Sequence, residues 1–432
     1  MHKNGRFSLA VLNLAVFFLI SLLNRSSQAQ EANPSLIATV PQISGIRIAG
    51  SPVIVFDHLK DKHEWDQLPD APVTAWKNAD GTVNLTIPFY EEFRMRGPDL
   101  LHLKSDPNKI YSSMTQASDP VENHYNYFHW FLAPYTVDGN NIYALTHTEW
   151  YACVLVGDCN QGNNQIDSWA TTNNSLKSSD GGATWSANGL NQAHLVIDGG
   201  DHWTGSPELK QRVYRKAFDH SGMFTPSRLI QEGAYYYSIG FQVHRDFSKL
   251  DASTGLAPVD RYGYVLIRTK DITNPKGWEA WVGGTKFHTF TQHDYANFQA
   301  QQNGVALNGS QVQLIYDQHA QEYVVVFVIW GANGPVYYMT TKSLAAPAWS
   351  DASVVAGSAK LQADPRGPSN KACNKGFGAA NYISILDPHS PGMNFEFTTG
   401  TPWLFYVVNP ALCGGDNLQR DIYRVKLAVS YR

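Results

Sequence analysis

The chain has 432 residues, of which 43% are hydrophobic, 12% aromatic and only 16% charged. That hydrophobic share excludes an intrinsically disordered chain, which needs low hydrophobicity and high net charge. Lys plus Arg number 33 against 37 for Asp plus Glu, a net charge of −4. No basic field is present to hold phosphates, so nucleic acid is not expected as a partner.

The N-terminus carries His2, Lys3 and Arg6, then an apolar run from Leu9 to Leu23, then Ser26-Ser27-Gln28-Ala29. A basic start, a short apolar stretch and a small-residue exit predict a secretory signal peptide over residues 1–29. The run is too short for a membrane span. The mature protein is therefore expected to be secreted or periplasmic, with no membrane partner after cleavage, and to act as a monomer. Export favours disulfides. Cys153 and Cys159 lie six residues apart, and Cys373 and Cys413 forty apart late in the chain, and two bridges, local with local and late with late, are expected. No tight Cys-x-x-Cys or His-x-x-His spacing marks a metal centre, so no cofactor is required; the propeller loops leave room for a structural calcium or zinc, for which no ligand set stands out.

From Gly45 onward the sequence reads as one all-β domain, 45–432. Predicted strands follow in order at Pro52–Phe56, Thr82–Pro88, Asn141–Thr146, Ala234–Gly240, Gly263–Arg268, Val312–Tyr316, Tyr323–Ile329, Trp403–Val408 and Ile422–Val429. Each is rich in β-branched and aromatic residues and bounded by turn formers. Ser178-Ser179-Asp180-Gly181-Gly182-Ala183-Thr184-Trp185 fits the Asp-box pattern Ser-x-Asp-x-Gly-x-Thr-Trp. Such a box joins the two outer strands of a β-propeller blade: the carboxylate accepts backbone N–H bonds, glycines supply positive φ, and the tryptophan packs the corner. Weaker echoes end at Trp278, 93 residues after Trp185, and at Trp349, 71 residues further on. With one or two blades per interval, about 400 mature residues make five to seven blades, and seven is the favoured expectation.

The densest polar stretch is His124–Tyr135 followed by Tyr143–Tyr151. His129 and His147 sit on two strands joined by a turn, with Trp130 and Glu149 adjacent. An antiparallel pair can bring both imidazoles to one end of a blade. Further on, Pro226-Ser227-Arg228 opens an apolar strand, and Tyr214 precedes it.

With the Asp box, His-Trp before Ala-Pro-Tyr, the Tyr-Ala-Leu-Thr-His-x-Glu hairpin and Phe-x-Pro-Ser, the chain resembles secreted sialidase-like β-propellers. Among those of known activity it is similar to propeller polysaccharide lyases, the ulvan lyases and rhamnose–glucuronate lyases. The motif-level likeness runs from His124 to Tyr237. It implies catalytic His129, His147, Tyr214 and Arg228, with Arg268, Glu149 and Trp130 as substrate contacts. The implied reaction is β-elimination on a 4-linked uronate in a polysaccharide or oligosaccharide. Arg228 would neutralise the carboxylate next to C5, while Tyr214 and His147 exchange protons with C5 and the leaving O4. The rival readings are a glycoside hydrolase, which needs two carboxyl groups or a tyrosine nucleophile, and a non-catalytic glycan-binding propeller. Glu149 is the one acid in the dense stretch, and Arg94 and Arg96 are further candidates to line a pit.

Overall fold

The structure is a computed structural model. It describes residues 40–432 apart from 90, 114–127, 152–168, 190–194, 198–220, 250, 252–256, 290–295, 297, 303–304, 308–310, 330–333, 363–379 and 410–418. The predicted signal peptide, Tyr214 and all four cysteines lie outside the described residues. Val40–Arg432 form one compact unit.

Every strand predicted above is present, because alternation and turn chemistry act locally. The strands assemble into antiparallel four-strand meanders. The first contains Ala75–Lys77, Val83–Ile87, Glu91–Gly97 and Lys104–Ser105. The second contains His129–Thr136, Ile142–Tyr151, Trp169–Ser178 and Ser186–Ala187. In the third the inner strand is broken, as Ser221–Phe224 and Ile230–Glu232, both paired with Tyr235–Arg245; Val259–Thr269 and Trp278–Gly283 follow. The break holds Pro226, which has no N–H to give a ladder. The fourth runs Gln311–Asp317, Glu322–Val328, Tyr337–Thr341 and Ser353–Val354. The fifth runs Ala380–Leu386, Trp403–Val408 and Asp421–Tyr431, and takes its outer strand, Ile43–Ile48, from the start of the unit. This last pairing ties one end of the unit to the other.

Hydrophobic clusters fill each gap between neighbouring meanders. Phe131, Ile142 and Leu176 meet Trp76 between first and second. Ala133, Tyr135 and Leu145 meet Met223 and Val265 between second and third. Tyr237 and Ile239 meet Leu314 and Val325 between third and fourth. Ile315 and Val324 meet Ile385 and Leu404 between fourth and fifth. Leu386 and Phe405 meet Leu85 and Phe93 between fifth and first. Five sheets with five packed interfaces make a closed β-propeller ring, so the described residues carry five blades, the lower end of the expected five to seven and not the favoured seven. Trp185, Trp278 and Trp349 belong to three successive blades, and each interval between them holds a single blade because the connections are long.

The 178–185 turn behaves as its chemistry requires. The Asp180 carboxylate accepts from the Thr184 N–H at 2.9 Å and the Thr184 hydroxyl at 2.7 Å, while Gly181 and Gly182 take φ of 68° and 82°. Trp185 packs edge-on against Trp76 and Phe131. Asn84 and Asn173, each the first residue of an Asn-x-Ser/Thr glycosylation sequon, are fully buried; their amides donate to Asn78 and to the Thr146 carbonyl, so neither presents a glycan acceptor.

Candidate functional site

The inner strands run from a mouth at their N-terminal ends to a floor at their C-terminal ends. At the mouth, Tyr382 near the start of the fifth inner strand meets Asp70, which lies just ahead of the first. Its hydroxyl donates to Asp70 Oδ1 at 2.9 Å. Arg420, which leads into Asp421–Tyr431, pairs with the same Asp70 oxygen and lies over the Tyr382 ring at 5.9 Å. Tyr382 has φ of 48°, and its N–H is held by Gln311 Oε1 at 2.8 Å. A bulky non-glycine residue in the left-handed region is strained and persists only where its surroundings fix it. Burial raises the phenol pKa, and the negative charge of Glu149 raises it further. Carboxylates from the first and second blades therefore both act on one phenol from the fifth.

Glu149 lies two residues before the end of the hairpin strand Ile142–Tyr151 and bonds His147 Nε2 at 3.1 Å. His147 stacks on Phe224 of the third blade and lies 5.4 Å from the Trp130 ring. The Glu149 and Asp70 side chains keep 14% and 20% of their surface exposed.

The sequence-predicted residues do not all gather here. Trp130 pairs directly with His147 in the ladder, so His129, one residue earlier, points to the other face. Its ring lies near Thr146 and Thr148, at 3.2 and 3.4 Å, and against Tyr111 of the first blade. His129 and His147 share an end of the blade but look toward opposite neighbours. Trp130 is only 4% exposed and packs on Phe89 and Phe128, so it forms a wall and offers no open face for stacking. Arg228 is buried in the interior and donates to the Phe395 carbonyl at 2.6 Å; burial lowers its pKa to about 10, against the opposing charge of Glu396. Arg268 is clamped between the rings of Tyr235 and Phe287 and paired with Glu279 at 2.7 Å, within the third blade. Arg94 is likewise committed, to Asp106 and the Gly182 carbonyl.

Sequence reading missed Asp70, Tyr382 and Arg420. Asp70 and Tyr382 are 312 positions apart, and the strained backbone at Tyr382 leaves no mark on composition or spacing. Among the described residues no group of three or more His, Cys, Asp or Glu side chains is arranged to hold a metal ion, and no helix is long and apolar enough to cross a membrane.

The fold is thus an all-β propeller with an acidic, aromatic mouth. No protein-family model matches the sequence, and no curated protein matches it. Solved structures do share similarity with it. The catalytic domain of the Coprinopsis cinerea family 62 α-L-arabinofuranosidase is 11% identical, over 89% of this chain and 98% of that one, with a TM-score of 0.44. A family 117 glycoside hydrolase from the marine bacterium Zobellia galactanivorans is 9% identical, over 89% and 90%, also at 0.44. A putative glycosidase from Bacteroides thetaiotaomicron is 8% identical, over 88% and 93%, at 0.44.

Proposed function

We propose that this protein is a secreted, monomeric carbohydrate-active enzyme that hydrolyses a glycosidic bond at the propeller mouth, with Asp70 and Glu149 as its two carboxyl groups. The observation that carries this reading is the Tyr382 phenol, hydrogen-bonded to Asp70 and under the charge of Glu149. Glycoside hydrolysis needs one carboxyl group to protonate the departing oxygen. It needs a second to activate water or attack the anomeric carbon. Asp70 is held in place by a guanidinium and a phenol donor. It serves as base or nucleophile. Glu149 is the second carboxyl group, and His147 lies in hydrogen-bond reach to exchange a proton with it. Tyr382 acts as a positioning residue that holds the Asp70 carboxylate in one orientation.

Elimination on a uronate, implied by the sequence resemblance, has less support, since it asks Arg228 and both histidines to meet one sugar. The test covers both chemistries. The protein is incubated with neutral and uronate-containing polysaccharides while reducing ends and the ultraviolet absorbance of unsaturated uronates are followed together. New reducing ends without absorbance, and a kcat loss of about 10²–10⁴-fold in Glu149→Gln and Asp70→Asn, are expected. Rising absorbance would return the function to a lyase and overturn these roles. Silence in both channels would favour a glycan-binding propeller.

A further inference from the structure

The connection between the first two strands of the fifth blade leaves the sheet and crosses to the other blades. Its four consecutive residues bond four different blades in order. The Met393 carbonyl accepts from the Lys77 N–H at 2.7 Å, in the first blade. The Asn394 side chain accepts from the Thr136 N–H at 2.8 Å and donates to the Thr136 carbonyl at 2.9 Å, in the second. The Phe395 carbonyl accepts from Arg228 at 2.6 Å, in the third. The Glu396 carbonyl accepts from the Tyr316 N–H at 2.9 Å, in the fourth, and Phe397 and Thr398 continue parallel to Tyr316 and Asp317. Only a segment on the propeller axis can reach all five inner strands.

Lys77, Thr136 and Tyr316 each lie at or next to the C-terminal end of an inner strand, so the segment lies across the floor. Asn394, Phe395 and Glu396 are 4%, 1% and 5% exposed. Phe395 takes φ of 55°, a strained turn that lets neighbouring carbonyls face different blades. Arg228 completes the arrangement from within the break in the third inner strand, where no ladder bond competes for it.

We infer that Met393–Glu396 is an axial clasp. It is a second closure of the ring, independent of the outer-strand pairing between Ile43–Ile48 and Asp421–Tyr431, and it seals the floor so that ligands enter and leave by the mouth alone. Arg228 is its third-blade anchor and acts on the scaffold, away from any substrate. Because the four contacts hang on four successive residues, loosening one slackens the others.

The inference is tested by amide hydrogen exchange on Asn394→Ala. Residue 394 makes no hydrogen bond to Lys77 or Tyr316. A clasp acting as one unit nonetheless speeds exchange at both of these amides by about tenfold or more, the equivalent of losing roughly one hydrogen bond at each. Faster exchange confined to Thr136 and its neighbours would reduce the segment to separate local contacts and overturn the inference. Should the variant fail to fold, the full-length wild-type protein answers the same question in dilute denaturant. The Lys77, Thr136 and Tyr316 amides then share one opening free energy and one denaturant slope, and three unrelated values refute the clasp.

Discussion

Glu92 offers a sharp test of the packing between the first two blades. Its side chain is fully buried, and it accepts from the Phe131 N–H at 2.6 Å. Burial pushes its pKa well above the ordinary carboxylate value, outweighing the backbone donors, and the neighbouring Glu91 charge adds to the rise. A carboxyl whose folded pKa lies above its unfolded value binds its proton more tightly when folded. Its neutral form gives full stability below the unfolded pKa near 4.5, and that stability drains away as pH climbs toward the folded pKa. For one proton the slope reaches at most about 1.4 kcal/mol per pH unit. Glu92→Gln keeps an acceptor for Phe131 and nearly the same volume but cannot ionise. The variant should therefore match the parent below about pH 4 and become progressively more stable above it, levelling off once the parent is fully ionised. Denaturant titrations at a series of pH values measure this directly. Parallel curves with a constant offset, or a variant less stable at neutral pH, would refute the reasoning.

Trp76 has no exposed surface and joins Trp185 and Phe131 at the interface of the first and second blades. Trp76→Ala should cost about 3–5 kcal/mol, read as a lowered denaturation midpoint. Arg268→Met removes a cation held between two rings and a partly exposed ion pair. It should cost about 1–2 kcal/mol while leaving kcat and KM unchanged, whereas a substrate contact would raise KM. Tyr382→Phe deletes the donor to Asp70 without losing the ring over which Arg420 lies. It should lower kcat more than it changes KM, because Asp70 loses the bond that fixes its orientation.

The dense His129–Tyr151 hairpin drew attention for sound reasons, since it does deliver His147 and Glu149 to the mouth. What it concealed was facing. Side chains alternate along a strand, so a register in which Trp130 rather than His129 opposes His147 sends the two histidines to different blades. Spacing across a turn does not fix that register to one residue.

By itself the sequence determined the features that depend on neighbours in the chain. These are the strands, through alternation of apolar and polar residues, and the 178–185 turn, through its glycines and its carboxylate. Blade number and site composition were decided only by tertiary structure. Blade number follows from how the interfaces pack around a closed ring, and connection lengths vary too freely to count blades from tryptophan intervals. Asp70 and Tyr382 meet because the ring brings the first and fifth blades together. Arg228 meets Phe395, 167 positions away, because one connection turns inward along the axis. Contacts of that kind come from closure of the whole ring, which no local pattern encodes.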